Sequence, residues 1–384
     1  LNAIATDIML PALPAIGDAL GVDRANDRQA IVTAYLAGFG VGQLLVGPLC
    51  DRFGRRPLLM SGLLLYVAGG ALCAMAGDFA AMLAARAAQG VGAAAPRVIV
   101  TALVRDCYSG RPMARVTSLA MMTFMAVPVL APSIGQAILL GADWRAIFWF
   151  LAGYGVLVLA AAALLLPETL PPEWRRPLSP RGVARSVAMV LGCRQTVGYA
   201  LASGAFFGAL FAFIASSQQI FVGLYDLGVW FPAAFGGIAL MIALAAFVNA
   251  ILVGRFGMRA LSHGAVLLFT AISAVWTLLA AQGQPPLWVL LGLLGSAMML
   301  VGLVFSNFNA LAMEPMARAA GIASSMIGGS TVLIGATLGF LIARAYDGTV
   351  LPLALGYAGC GAATILILLV TERGRLFGAR PAAA

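Results

Sequence analysis

Gly47-Pro48-Leu49-Cys50-Asp51-Arg52-Phe53-Gly54-Arg55-Arg56-Pro57 is a short charged turn between two apolar runs, at about 28–49 and 58–77. Gly54 permits a sharp reversal of the backbone. Asp51 falls at the C-terminal end of the first run, where a helix dipole disfavours negative charge. A charge placed there needs partners, and Arg52, Arg55 and Arg56 surround it. Each flanking run is long enough to cross a hydrocarbon core of roughly 30 Å. The stretch therefore reads as a tight link between two antiparallel membrane spans.

The rest of the chain agrees. Of 384 residues, 62% are hydrophobic and 10% charged, with a mean hydropathy of +0.99, far outside the range of soluble domains. Further apolar segments lie at about 1–20, 80–104, 113–140, 144–166, 196–222, 228–253, 263–282, 287–311, 319–343 and 350–370, which makes twelve spans. Helices are required, because an unpaired backbone group finds no water in lipid. Since the chain starts at Leu1 with neither Met nor a charged start, a short cytoplasmic leader and part of helix 1 are expected to precede it.

The net charge of +9 comes from 23 basic residues, all of them Arg, scattered singly and in short groups between the apolar runs. That pattern fits membrane topology better than nucleic acid, which is not an expected partner. Placing both termini in the cytoplasm puts seventeen arginines on that side and only Arg24, Arg28, Arg145 and Arg344 on the other, as the positive-inside rule requires. Arg86 and Arg97 fall inside a span. The expected location is a bacterial inner membrane, crossed many times.

The longest polar stretch, 168–194, follows Pro167 and carries four more prolines and then a basic amphipathic segment, which reads as a cytoplasmic linker lying on the membrane surface. It divides the chain into an N-terminal six-helix bundle (1–167) and a C-terminal one (195–371), followed by a cytoplasmic tail (372–384). Gly254-Arg255-Phe256-Gly257-Met258-Arg259, after span 8, is a degraded echo of the turn after span 2. The expected fold class is an all-α membrane protein of twelve transmembrane helices in two six-helix bundles.

Asp7 is the acidic residue placed deep within a span, Asp18 falling at the edge of the same segment, and a charge there costs at least about 2.5–3.5 kcal/mol. A proton and a cationic or polar substrate can compete for such a carboxylate; the plain alternative is an ion pair between helices. Arg86 and Arg97 are eleven residues apart, so both fall on nearly one helix face. At 1.5 Å per residue, Asp7 lies roughly 5 Å and Arg97 roughly 3 Å to the cytoplasmic side of the midplane, with Arg86 roughly 6 Å to the other. Depth alone thus favours Arg97 as the charge partner of Asp7. Cys50, Cys73, Cys107, Cys193 and Cys360 are far apart, and the chain has one His, so neither disulfides nor a metal site is supported. No GxxxxGK[ST] sequence occurs, so ATP does not drive this chain directly. No catalytic residue and no cofactor is expected.

The sequence closely resembles the major facilitator superfamily, and within it the bicyclomycin and chloramphenicol resistance (Bcr/CflA) group of drug:H+ antiporters. The resemblance rests on Thr6-Asp7 with Leu10 to Pro14, the Gly47 to Pro57 turn, Arg86 with Gln89-Gly90, and Val104-Arg105-Asp106. It extends through Ala131-Pro132 with Gly135, Trp144 to Phe148, Pro167-Glu168-Thr169 and Ala312 to Met316. Helix 5 departs from the antiporter pattern at Ala131 and Gln136, where that group usually carries Gly.

The resemblance implies proton-coupled efflux of small amphipathic drugs by alternating access. It assigns proton coupling to Asp7 and Arg86, against the depth argument for Arg97, and a cytoplasmic gate to Gly47, Asp51, Arg52, Gly54, Arg55, Arg56 and Asp106. In that gate Asp51 reaches the N-terminus of a helix in the opposite half. Pro128, Pro132 and Gly135 form a candidate hinge in helix 5. Tyr35, Gln89, Phe124, Phe207, Gln218, Asn249 and Asn307 are the candidate substrate-cavity residues, being polar or aromatic groups in apolar spans. The expected partners are a small-molecule drug or metabolite, H+ and the lipid bilayer, with the protein monomeric. The alternatives are an H+ symporter or facilitator of a small metabolite, and a membrane receptor or scaffold that transports nothing.

Overall fold

The computed structural model describes residues 1–107, 116, 127–171, 173, 180–316 and 320–377. Among these residues every regular element is helical. Ten helices are long and apolar enough to cross a membrane, and Val127–Leu139 is a shorter apolar one.

The first apolar segment is broken into α1 (Asn2–Asp7), a 3₁₀ turn (Leu10–Ala12) and α2 (Leu13–Ala19). Pro11 and Pro14 account for the break, since neither has an N–H to continue the ladder and each ring crowds the preceding turn. Then come α3 (Ala30–Phe53), α4 (Arg55–Met75), α5 (Phe79–Cys107), α6 (Val127–Leu139) and α7 (Arg145–Leu165). The early part of the expected 113–140 span lies outside the described residues. The amphipathic part of the expected linker is helical, as α8 (Pro180–Gly192). The remaining helices are α9 (Arg194–Gln218), α10 (Phe231–Phe256), α11 (Met258–Gln282), α12 (Leu287–Met313), α13 (Ala320–Arg344) and α14 (Leu351–Thr371).

Two compact units result. The first contains residues 1–187 with 321–333, the opening part of α13; the second contains 188–320 and 334–384. In the first, α3 and α4 pack on α5, and α4 also packs on α7. In the second, α10 and α11 pack on α12, and α11 also packs on α14. The same arrangement of helices therefore occurs twice. The turns repeat too: Gly54 joins α3 to α4 at φ +99°, and Gly257 joins α10 to α11 at φ +77°, a backbone region that favours glycine. The weak sequence echo at 254–259 thus marks a true structural repeat. Large apolar side chains such as Leu164, Phe247 and Trp288 remain exposed, as surfaces facing lipid tails require.

Candidate functional site

Asp7 ends α1 just ahead of the break, with 3% of its surface exposed. Its carbonyl cannot receive the usual i+4 bond, because residue 11 is proline. Among the described residues its Oδ1 has no hydrogen-bond partner. An ionised carboxylate held in apolar surroundings without donors is expensive, whereas a carboxyl carrying a proton is much less so. Gly135 of α6 packs directly against the carbonyl of Ile8, so closely that a side chain there would collide with the backbone. Of the candidate hinge residues, Gly135 and Pro132 are buried and Pro128 is half-buried. The helix α6 therefore touches the broken first segment one residue beyond Asp7.

Arg86 is completely buried in α5. Nη1 donates to Gln89 Oε1 at 2.6 Å, Nη2 to the Ala5 carbonyl at 3.0 Å, and Nε to the Ile31 carbonyl at 3.4 Å. Its guanidinium lies over the Tyr35 ring at 4.4 Å and near that of Phe148 at 5.8 Å. Tyr35 in turn donates to Asn2 Oδ1 at 2.9 Å. Arg86 thus ties α1, α3 and α5 together through backbone carbonyls, and no ion pair joins it to Asp7 among the described residues. Tyr35 and Gln89, expected to line a cavity, are instead packed on this arginine. Arg97 has an exposed side chain three turns further along α5.

The charged turn is organised around Arg55, which is nearly buried. Nη1 donates to Asp51 Oδ1 at 2.9 Å and to Cys50 Sγ at 2.9 Å, and Nε to Asp106 Oδ2 at 3.2 Å. Asp51 Oδ2 lies 3.6 Å from where a Cβ on Gly321 would stand, in the first turn of α13. That position lets the helix N-terminus compensate the charge that the end of α3 disfavours. Gly47 leaves room for the Ser325 hydroxyl. Arg56 donates to the Ala163 carbonyl at 2.7 Å, while Arg52 is exposed and lies over Phe53.

Glu168 is a participant to which sequence reasoning gave no role. Its Oε1 accepts the Arg55 backbone N–H at 3.0 Å and its Oε2 that of Arg56 at 3.3 Å, capping α4 with negative charge at the favourable end. The second unit repeats the arrangement with other residues: Arg259 donates to Glu314 Oε2 at 3.3 Å and to Glu372 Oε1 at 3.1 Å. Acids at the ends of α7, α12 and α14 thus meet arginines at the starts of α4 and α11. The signal available in the sequence was a lone Glu just past each of these apolar runs.

The other cavity candidates are dispersed. Asn307 Nδ2 donates to Asn249 Oδ1 at 2.6 Å, and Asn249 Nδ2 to Ser306 Oγ at 3.1 Å. These amides close a pair between α10 and α12. Phe207 packs on Phe211 and Phe305, Gln218 is half-exposed, and Phe124 lies outside the described residues.

The sequence model of the Major Facilitator Superfamily matches residues 1–340. The chain belongs to the major facilitator superfamily. Like other members it is a multi-pass membrane transporter of small molecules, not an enzyme. It is 31% identical over 380 residues to a bicyclomycin resistance protein homolog of Haemophilus influenzae, covering 95% of this chain and 92% of the relative. It is also 34% identical over 306 residues to a chloramphenicol resistance protein of Pseudomonas aeruginosa, covering 75% and 70%. Among solved superfamily structures, a D-xylose-proton symporter aligns with a TM-score of 0.74 at 14% identity, covering 98% of this chain and 94% of the other; this likeness concerns the fold.

Proposed function

We propose that the protein exports small amphipathic drugs in exchange for protons, by alternating access across a bacterial inner membrane, with both termini cytoplasmic and the protein acting as a monomer. The observation that carries this reading is the buried Asp7 Oδ1, without a partner among the described residues, on the broken first helix beside the close contact with α6. A group that gives up a proton and accepts a ligand needs such a position: open to change in its backbone, and poor in fixed donors. Relatives named for resistance to bicyclomycin and chloramphenicol support the substrate class.

In this reading Asp7 carries the proton and Arg86 holds the broken helix in place around it. The turn Gly47–Pro57, with Asp106 and Glu168, is the cytoplasmic gate, and Asp51 at the start of α13 is its latch. One proton moving through 100 mV supplies about 2.3 kcal/mol, enough for roughly a fifty-fold gradient of a neutral substrate.

The direction is tested in everted membrane vesicles with an acidified interior. An exporter accumulates drug inside them as protons leave, and Asp7→Asn does not. Proton-driven loss of substrate from the same vesicles would replace the reading with symport, and absence of any coupled flux would replace it with a facilitator or a receptor.

A further inference from the structure

The chain has a single histidine, and the second unit buries it at the end of the bundle where α9 and α11 begin and α12 and α14 finish. His263, on the second turn of α11, is fully covered. One ring nitrogen, Nε2, stands 3.0 Å from Tyr199 Oη. The other, Nδ1, is hydrogen-bonded to the Leu376 carbonyl. Tyr199 donates its only hydroxyl proton to Glu372 Oε1 at 2.7 Å, and Arg259 donates to the same oxygen at 3.1 Å.

The proton count of this cluster is decisive. Burial alone would push the Glu372 carboxyl up, but the hydrogen bonds from Tyr199 and Arg259 outweigh it and hold the carboxyl below its ordinary range. Glu372 is therefore an ionised acceptor, and the Tyr199 proton is committed to it. The Tyr199 oxygen is left to accept from His263 Nε2. The Leu376 carbonyl can only accept as well, so Nδ1 must also donate. A neutral imidazole has one N–H, and an imidazolium has two. All of these bonds coexist only when His263 carries the extra proton.

What the histidine holds is the segment after the last span. The chain leaves α14 at Thr371 and turns back through Arg373 and Gly374, at φ +54° and +78°. The Gly374 N–H bonds to the Leu369 carbonyl at 2.8 Å. Leu376 and Phe377 then come to lie on His263, with the Phe377 ring edge-on at 6.3 Å. The charged and titratable groups about the ring are Tyr199 from α9, Arg259 from α11 itself, Glu372 after α14, and Glu314 at the end of α12, reached through Arg259.

We propose that His263 is a second proton-binding site of the protein, which with Tyr199 and Glu372 forms a clasp that fastens residues 372–377 to the end of the second unit when protonated and releases them when neutral. The sign follows from the donor count: the clasp is closed below the imidazole's midpoint and opens as pH rises through it. Asp7 plays no part in it, so either site can fail without the other.

Because only one histidine is present, ¹⁵N-histidine labelling of the full chain in lipid nanodiscs reports this ring alone. The expected spectra show both ring nitrogens protonated near about pH 5 and one near about pH 8, the span in which imidazoles ordinarily titrate. Glu372→Gln should lower the midpoint, since a neighbouring negative charge is removed. Trypsin cleavage after Arg373 and Arg375, normalised to His263→Gln at each pH, should rise at least about fivefold between the same limits as the tail comes free. A ring that stays singly protonated throughout overturns the proposal, as does an unmoved midpoint in Glu372→Gln or pH-dependent cleavage that is identical in His263→Gln. The wild-type titration needs no variant, so a misfolded substitution does not shield the idea.

Discussion

Both units carry charge at their helix ends, but among the described residues only the first also buries it in the middle of its bundle. Asp7 and Arg86 lie fully enclosed among α1, α3 and α5, and Gln89 Nε2 and Tyr66 Oη beside them lack partners among the described residues. In the corresponding interior of the second unit the large residues are Trp276, Tyr357, Phe269 and Phe206, packed ring against ring, with Trp276 Nε1 and Tyr357 Oη also lacking partners among the described residues but carrying no charge. Its polar pair Asn249–Asn307 is neutral and hydrogen-bonded. Among the described residues of this unit, ionic groups lie only near the helix ends, as around Arg259. One architecture used twice thus supports an interior that can change charge in one copy and an interior fixed by aromatic packing in the other. In the reading proposed above, proton coupling falls to the copy that buries a carboxyl.

The sharpest way to break this contrast is at Asp7. Asp7→Asn should abolish drug accumulation driven by a pH gradient in everted vesicles while the protein still folds, since a neutral amide costs less in a membrane than a carboxylate. Retained accumulation would move the proton to another group.

Arg86→Ala should be the most destabilising substitution in this region. It strands the Ala5 and Ile31 carbonyls and Gln89, and leaves a cavity under Tyr35. The expected loss is about 2–4 kcal/mol, read as a lower thermal midpoint in detergent. Lys at this position should recover only part of it, because an ammonium cannot span three acceptors with a guanidinium's fork. An unchanged midpoint in Arg86→Ala would mean that the broken helix is held by packing alone.

Asp51→Asn should slow transport several-fold without loss of substrate binding, as it weakens the contact to Arg55 and the start of α13 by about 1–2 kcal/mol. Flux at saturating substrate and equilibrium binding, measured side by side, separate the two; lost binding at normal flux would place Asp51 in the wrong role. The smallest effect belongs to the second unit. Asn249→Ala should cost about 0.6–2 kcal/mol of stability, as other interhelical hydrogen bonds in membranes do, and leave the response to the pH gradient unaltered. A change in coupling there would erase the distinction between the two interiors.

Much of the fold was legible in the sequence because lipid leaves so few options. Apolar runs of spanning length must be helices, and the arginines between them mark the connections. The turn at Gly54 and its echo at Gly257 could be read from residue type, since each needs a backbone that few other residues adopt. The buried state of Asp7 followed from its place in an apolar run.

The surroundings of Arg86 were not legible. Its partners are the carbonyls of Ala5 and Ile31, and backbone acceptors leave no trace in side-chain patterns. For the same reason Tyr35 and Gln89 were assigned to a cavity when they serve the arginine. Glu168 and Glu372 went unassigned because a lone acid after a span looks like any solvated helix end until the facing arginine is located. Asn249 and Asn307 lie 58 positions apart, and only the packing of α10 on α12 makes them a pair.

Substrate affinity measured against pH in purified wild-type protein and in Asp7→Asn tests the central claim most directly. If proton and substrate compete at Asp7, wild-type affinity should weaken as pH falls, by up to about tenfold per unit below the carboxyl's midpoint, while Asp7→Asn gives a flat profile. A mutant that keeps the wild-type profile, together with proton-driven transport, would contradict the account.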